Sequence, residues 1–322
     1  MTNNNFDSKA FRTALGTFTT GVTIITATAA DGTRVGITAN SFNSVSLDPP
    51  LVLWSLAKTA NSLPVFSESR HWNVHVLSVE QEPLSGRFAS RGDDKFAGLE
   101  LDEGMTEAPL LPDCTARFQC RTAFMHDGGD HIIFIGEVLG FDQSDLPPLV
   151  FQSGQYALTA RKPREEVRLT QAEPPPECSY TEDLLGYLLG RAHFQMVNRL
   201  QALLDEQQLE QAQFFILSVL CIRDGLTLAQ INEYIAYTGY TVDQDDMDVL
   251  IQCGHVVIEQ GRYRMTADGR DASLHQIAQA KAIEEEIVEA LGPGDAMALK
   301  LLLKRLIART DPGLPDLWAV SS

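Results

Sequence analysis

The sequence predicts an α+β chain in which an antiparallel β-barrel is followed by an all-α domain. Three observations predict it. The 322 residues are about twice an ordinary domain, and 44% of them are hydrophobic, enough for two cores. Short apolar and β-branched runs dominate as far as Tyr156, whereas leucines and aromatics at helical spacing dominate after Thr181. Charge changes at the same place. Residues 1–164 hold 18 acids against 13 bases, and residues 165–322 hold 25 acids against 12. The predicted domains are therefore residues 1–160 and 181–322, joined by a linker over 161–180.

Strand-like runs lie at Val22 to Thr26, Leu51 to Leu56, Trp72 to Val79 and Ile132 to Phe141, with a hairpin turn at Ala30-Asp31-Gly32-Thr33. Helical pieces are confined to Ser8 to Gly16, Ser62 to Ser69 and Glu80 to Ser90. Strands this short and this often interrupted predict a closed barrel over a doubly wound sheet. The linker follows from Pro174-Pro175-Pro176, which continues neither a helix nor a central strand. Beyond it, helices are predicted at Thr181 to Leu209, Gln213 to Cys221, Leu228 to Tyr237 and Val242 to Cys253. Thr227 with Gln230, and Thr241 with Gln244, read as capping boxes. His255 to Met265, centred on Gly261, reads as a two-stranded wing, and helices at Asp271 to Leu291 and Asp295 to Ala308 close the chain. That order is the order of a winged helix-turn-helix.

Composition excludes several classes. A net charge of −18 argues against nucleic acid or an anionic membrane as the main partner. No stretch approaches the roughly 18 apolar residues of a membrane span, and the N-terminus lacks a signal pattern, so a cytoplasmic protein is expected. The five cysteines, Cys114, Cys120, Cys178, Cys221 and Cys253, form no CxxC pair, so neither a zinc site nor a disulfide framework is expected.

The most informative segment runs from Gly36 to Leu51. Small and hydroxyl residues crowd a strand and the loop leaving it, which lets backbone approach a flat ligand. Thr38 and Ser41 add hydroxyls and Asn40 an amide, while Asp48-Pro49-Pro50 predicts an extended, rigid exit. A Ser/Asn-rich turn is the plainer reading of the same residues. Arg87 and Lys95 are candidate counterions for an anionic ligand or, with Asp93 and Asp94 alongside, solvated charges. His131 follows Asp130 and two glycines at the mouth of an apolar strand, where it can face a ligand or simply cap a loop. A metal site with His126 lacks a fourth spaced ligand.

These residues resemble, in order and spacing, the flavin reductase family with an FMN-binding split barrel. The resemblance runs through Phe11 to Val22, Gly36 to Leu51, Leu53-Trp54-Ser55-Leu56, Asn73 to Leu77 and Arg87-Phe88-Ala89. It continues with Asp94-Lys95-Phe96, Gly128-Gly129-Asp130-His131 and Gly154-Gln155-Tyr156. It implies an N-terminal antiparallel split β-barrel that binds FMN or FAD and oxidises NADH, with NADPH possible, to supply reduced flavin to a separate oxygenase. A homodimer is also implied. Thr38, Ala39, Asn40, Ser41, Ser55, Leu56 and Ser62 are implied to line the ring and ribityl chain. Arg87, Phe88, Ala89, Lys95 and Phe96 are implied toward the phosphate, His131 at the nicotinamide, and Tyr156 beside flavin or dinucleotide or in barrel-end packing. Hydride transfer needs no protein nucleophile, which agrees with the absence of any catalytic triad pattern. No GxGxxG follows a strand, so a Rossmann unit is not expected.

Residues 213–270 are similar in order to MarR-type winged-helix regulators. Between Asp224 and Gly261 there is no Lys or Arg, and the would-be recognition helix carries Asp243, Asp245, Asp246 and Asp248. Such a helix repels a phosphate backbone. A regulatory domain answering a small aromatic ligand is therefore expected over a flavin-responsive transcription factor, with a dimerisation module or a non-catalytic flavin-binding protein as alternatives.

Overall fold

The computed structural model describes residues 7–92, 94–162, 183–205 and 211–319. The chain divides into two compact units, residues 1–161 with 293–298, and residues 162–292 with 299–322. Most of the predicted linker, including Cys178, lies outside the described residues.

The first unit opens with α1 (Ser8–Gly16), whose first turn is capped by the Asp7 carboxylate accepting from the Lys9 and Ala10 N–H groups. There follow β1 (Thr20–Gly21), β2 (Thr23–Thr28), β3 (Arg34–Ala39), β4 (Asn43–Leu47), β5 (Pro50–Ala57), α2 (Leu63–Glu68) and β6 (His71–Val76). A 3-10 turn leads into α3 (Glu82–Ala89), then β7 (Ala116–Asp127), β8 (His131–Gln143), β9 (Val150–Gln152) and β10 (Gln155–Ala157). Seven strands pair in the order β3-β2-β6-β7-β8-β5-β4, every pair antiparallel. The ladder is open, with β3 and β4 at its edges, where the sequence predicted closure. A second sheet joins β1, β9 and β10.

Two cores flank the large sheet. Trp54, Phe66, Trp72 and Phe134 are fully buried in one, with Trp54 stacked on Phe134 at 4.9 Å between centroids and edge-on to Phe66 at 4.9 Å. Val22, Ile24, Leu77, Phe88, Leu111 and Leu149 form the other. The predicted turn at 30–33 joins β2 to β3 as expected, with the Ala29 N–H donating to the Thr33 carbonyl.

Two local readings are corrected. Asp48 and Pro49 form a tight turn, with a cis peptide bond, between the paired Leu47 and Pro50, in place of an extended exit. Strand β7 escaped the sequence because Arg117 and Arg121 break its apolar alternation. Both are neutralised by neighbours: Arg117 pairs with Asp142 at 2.9 Å and Asp102 at 2.5 Å, and Arg121 with Glu137 at 2.5 Å.

The second unit runs through α4 (Leu185–Asp205), α5 (Gln211–Ile222), α6 (Leu228–Ile235), α7 (Gln244–Gln252), the hairpin β11 (Val256–Glu259) and β12 (Arg262–Met265), α8 (Ala267–Leu291) and, from Leu299 on, α9 (Pro293–Thr310). Its core gathers Ile216, Leu220, Ile231, Ile235, Met247, Leu250 and Tyr263. The Thr227/Gln230 capping box forms as predicted. At α7 the cap is Asp243 with Asp246, two residues later than the predicted Thr241/Gln244, because a carboxylate accepts from two N–H groups at once. No helix among the described residues is long and apolar enough to cross a membrane.

Candidate active site

The N-terminal unit carries a cleft of about 450 Å³ built from three separate stretches: the first half of β3, the loop from β5 to α2, and the end of α3 with the turn after it. Val35, Ile37, Ala57, Phe88 and Phe96 give it an apolar wall, while Thr59, Asn61, Ser62 and Ser90 add hydroxyl and amide groups. Arg34, Arg91 and Lys95 supply three cations, and none of the described lining residues is acidic. In a chain of net charge −18 such a surface favours a flat, partly apolar ligand with an anionic end.

Gly36 permits the packing behind this wall. A Cβ there would lie 2.4 Å from a ring carbon of Phe88, which is fully buried and meets Phe96 edge-on at 5.0 Å. The Lys95 ammonium donates to the Phe88 carbonyl at 2.8 Å and the Gly36 carbonyl at 3.3 Å, tying α3 to β3 across the cleft. Partial burial pulls this lysine below its usual pKa. Neither Arg34 nor Arg91 has a partner among the described residues.

The predicted residues divide. Ser62, Phe88, Ala89, Lys95 and Phe96 line the cleft. Thr38 and Ser41 sit beside it with their hydroxyls committed. Thr38 donates to the Ser85 carbonyl at 2.7 Å, and Ser41 accepts from the Ser55 N–H at 2.9 Å, so the hydroxyls brace α3 and β5 against the end of β3. Ala39 pairs with Thr23, whose hydroxyl donates to the Ala39 carbonyl at 2.6 Å, and Asn40 is exposed just beyond. The Leu56 side chain is buried in the core.

Three predicted residues lie elsewhere. Arg87 projects into a separate cleft of about 390 Å³, with Glu80, Leu84 and Leu99 among its neighbours, and donates to the Ala97 carbonyl at 2.5 Å. Tyr156 shares a hydrogen bond at 2.9 Å with the buried Ser85 and meets Phe151 edge-on, a strut under α3. His131 does not line the cleft but is the ladder partner of Ala57, which does. Its Nδ1 lies 2.7 Å from the Asp130 carboxylate, and that contact holds Asp130 below its usual pKa. Lys58 beside it is paired to Asp127 at 2.7 Å. No cluster of metal-ligating side chains occurs among the described residues.

Sequence reasoning missed Arg34, Thr59, Asn61 and Arg91. Arg91 had a local signal, since it stands two residues past Ala89. Arg34 had none, because only the β2–β3 hairpin carries it to the end of α3.

A flavin reductase like domain matches residues 15–160. FMN reductase (NADH) SmoA from Agrobacterium fabrum is 49% identical over 156 residues, which are 48% of this chain and 88% of that protein. A probable flavin reductase from Rhizobium meliloti is 41% identical over 156 residues, covering 50% of its length. The reductase component of a flavin-dependent trigonelline monooxygenase from Acinetobacter baylyi is 40% identical over 153 residues, covering 49% of its length. Among solved structures, an NADH:FAD oxidoreductase from Streptomyces globisporus, in complex with NAD and FAD fragments, is 34% identical over 48% of this chain and 93% of that one, with a TM-score of 0.46. With 49% identity to a relative whose length it nearly spans, the chain belongs to the flavin reductase family.

Proposed function

We propose that the protein is the reductase of a two-component flavin-dependent monooxygenase, an NADH-dependent flavin reductase that passes reduced flavin to a separate oxygenase. The observation that carries the reading is the cleft's apolar wall with three cations beside it. That donor set fits FMN or FAD, a flat ring system with a phosphate tail. When bound, the flavin supplies the hydride acceptor. The chain's own residues bind and orient: Arg91 and Lys95 hold the anionic tail, Val35, Ile37 and Ala57 exclude water along the wall, and Ser62 offers a hydroxyl. His131, with Nδ1 held by Asp130, keeps Nε2 for the nicotinamide side of the site. The N-terminal unit is read as a split barrel paired in a homodimer, in a cytoplasmic protein.

For the second unit, residues 181–322 beyond a linker at 161–180, the reading is a MarR-like winged helix that regulates turnover in response to a small aromatic ligand. The helix-helix-helix-hairpin-helix order supports it. The wing arginines are engaged inside the unit, Arg264 with Glu259 at 3.1 Å and Arg262 with the Gly225 carbonyl at 3.0 Å, which supports a role away from DNA. The test is NADH oxidation by the full chain with added FMN and then FAD, repeated with small aromatic acids. Turnover that requires flavin and responds to one of the acids is expected. Flavin binding without accelerated NADH oxidation would sink the reductase reading, and an unchanged rate with every acid would sink the regulatory one.

A further inference from the structure

Arg34, like Arg91, is a cleft cation whose side chain has no partner among the described residues, but it stands apart from the other two along the cleft. It begins β3, pairs through its backbone with Thr28, is exposed, and its side chain has no hydrogen bond or ion pair among the described residues. Its neighbours along the strand set its position. Side chains two residues apart share a face of a strand and lie about 7 Å apart. Arg34, Gly36 and Thr38 therefore form one row. Lys95 sits at the level of Gly36, bound to that carbonyl at 3.3 Å, and Thr38 lies one step further in, against Ser85. Arg34 lies one step further out, toward the hairpin and solvent.

The two inner cations suffice for one phosphate. Lys95 has already spent two of its donors on the Phe88 and Gly36 carbonyls, and Arg91 keeps its whole guanidinium. A third guanidinium about 7 Å beyond that level, unpaired among the described residues, in a cleft whose described lining holds no acid, matches an anion longer than a phosphomonoester. Resting on the flavin reading of this cleft, we propose that Arg34 is a specificity-determining residue that binds the outer phosphate of FAD, and that it is what lets the site prefer a flavin dinucleotide to FMN. FMN ends at the level of Lys95 and Arg91. The diphosphate of FAD continues past it to Arg34, where a planar guanidinium with five donors can take a phosphate in two hydrogen bonds.

The test is equilibrium binding of riboflavin, FMN and FAD to the full chain, followed by quenching of flavin fluorescence, for the wild type, Arg34→Ala and Arg34→Lys. Arg34→Ala is expected to weaken FAD about tenfold and FMN less than threefold and to leave riboflavin unchanged, with Arg34→Lys intermediate. Raising salt should weaken FAD more than FMN in the wild type only. Equal losses for FMN and FAD would overturn the proposal by making Arg34 a contact to the single phosphate, and no loss for either would make it a solvated charge. Wild-type protein that binds none of the three flavins would instead overturn the reading of the cleft itself. Because Arg34 is exposed, matching thermal melts for the three proteins are expected and would show that folding is intact.

Discussion

At the scale of single residues, two positions carry more than their size suggests. Gly36 is required by close approach, since its backbone needs no positive φ and only the Phe88 ring at 2.4 Å forbids a Cβ. Phe88 cannot swing aside, because it is fully buried and held edge-on by Phe96. Gly36→Ala is expected to cost about 1–3 kcal/mol in a urea unfolding curve and to weaken flavin binding by displacing the cleft wall. His75 is the second. It is fully buried, with Nδ1 2.9 Å from the Ile24 carbonyl and Nε2 accepting the Leu111 N–H at 3.0 Å. Burial lowers its pKa to about 4. Between that value and the ordinary 6.5, the unfolded chain takes up a proton that the folded chain refuses. Stability is therefore unaffected by His75 above neutrality and declines as pH falls from about 6.5 toward 4, by up to about 3 kcal/mol. Unfolding curves across that interval check the sign, and His75→Gln should flatten the dependence while lowering stability throughout.

At the scale of elements, caps and helix phase do most of the deciding. Thr227 and Gln230 close the first turn of α6 reciprocally, with the Gln230 side chain accepting the Thr227 N–H at 3.0 Å. Thr227→Ala should cost about 1 kcal/mol, read as a lower midpoint in chemical denaturation. Helix phase explains where Arg87 goes. Glu80, Pro83, Leu84 and Arg87 recur at three- and four-residue steps and share one cleft, while Phe88, 100° further round the helix, faces β3. Arg87→Ala is accordingly expected to leave the affinity for flavin within about twofold, whereas Arg91→Ala should lower it about tenfold, both by fluorescence titration.

At the scale of the whole molecule, charge is distributed with a purpose that a sum conceals. The net charge is −18, yet one cleft gathers three cations and, among its described lining residues, no acid. In the second unit the basic side chains of the hairpin and the start of α8 are consumed locally, with Arg264 on Glu259 and Asp224, and Arg270 on Asp224 at 3.2 Å. The full chain is expected to leave duplex DNA unshifted at physiological salt, with or without flavin, because a major-groove reader needs free cations against the phosphates. A flavin-dependent shift would revive the transcription-factor reading.

What the sequence determined by itself is whatever depends on short-range order. Local alternation marked β2, β5, β6 and β8, a hydroxyl three residues before an amide marked the start of α6, and family-like motifs marked the neighbourhood of Ser62, Phe88 and Lys95. The tertiary structure alone decided what depends on neighbours distant in the chain. Strand β7 became visible only once Asp102, Glu137 and Asp142 neutralised its arginines. The hydroxyls of Thr38 and Ser41 look like free donors in a linear reading, and only the fold shows them hydrogen-bonded to Ser85 and Ser55. Arg34 reaches this cleft and Arg87 lines a different one for the same physical reason. A cleft is made where a hairpin, a loop and a helix end converge, and which side chains face it is set by strand pleat and helix phase acting through a packed core, not by nearness in sequence.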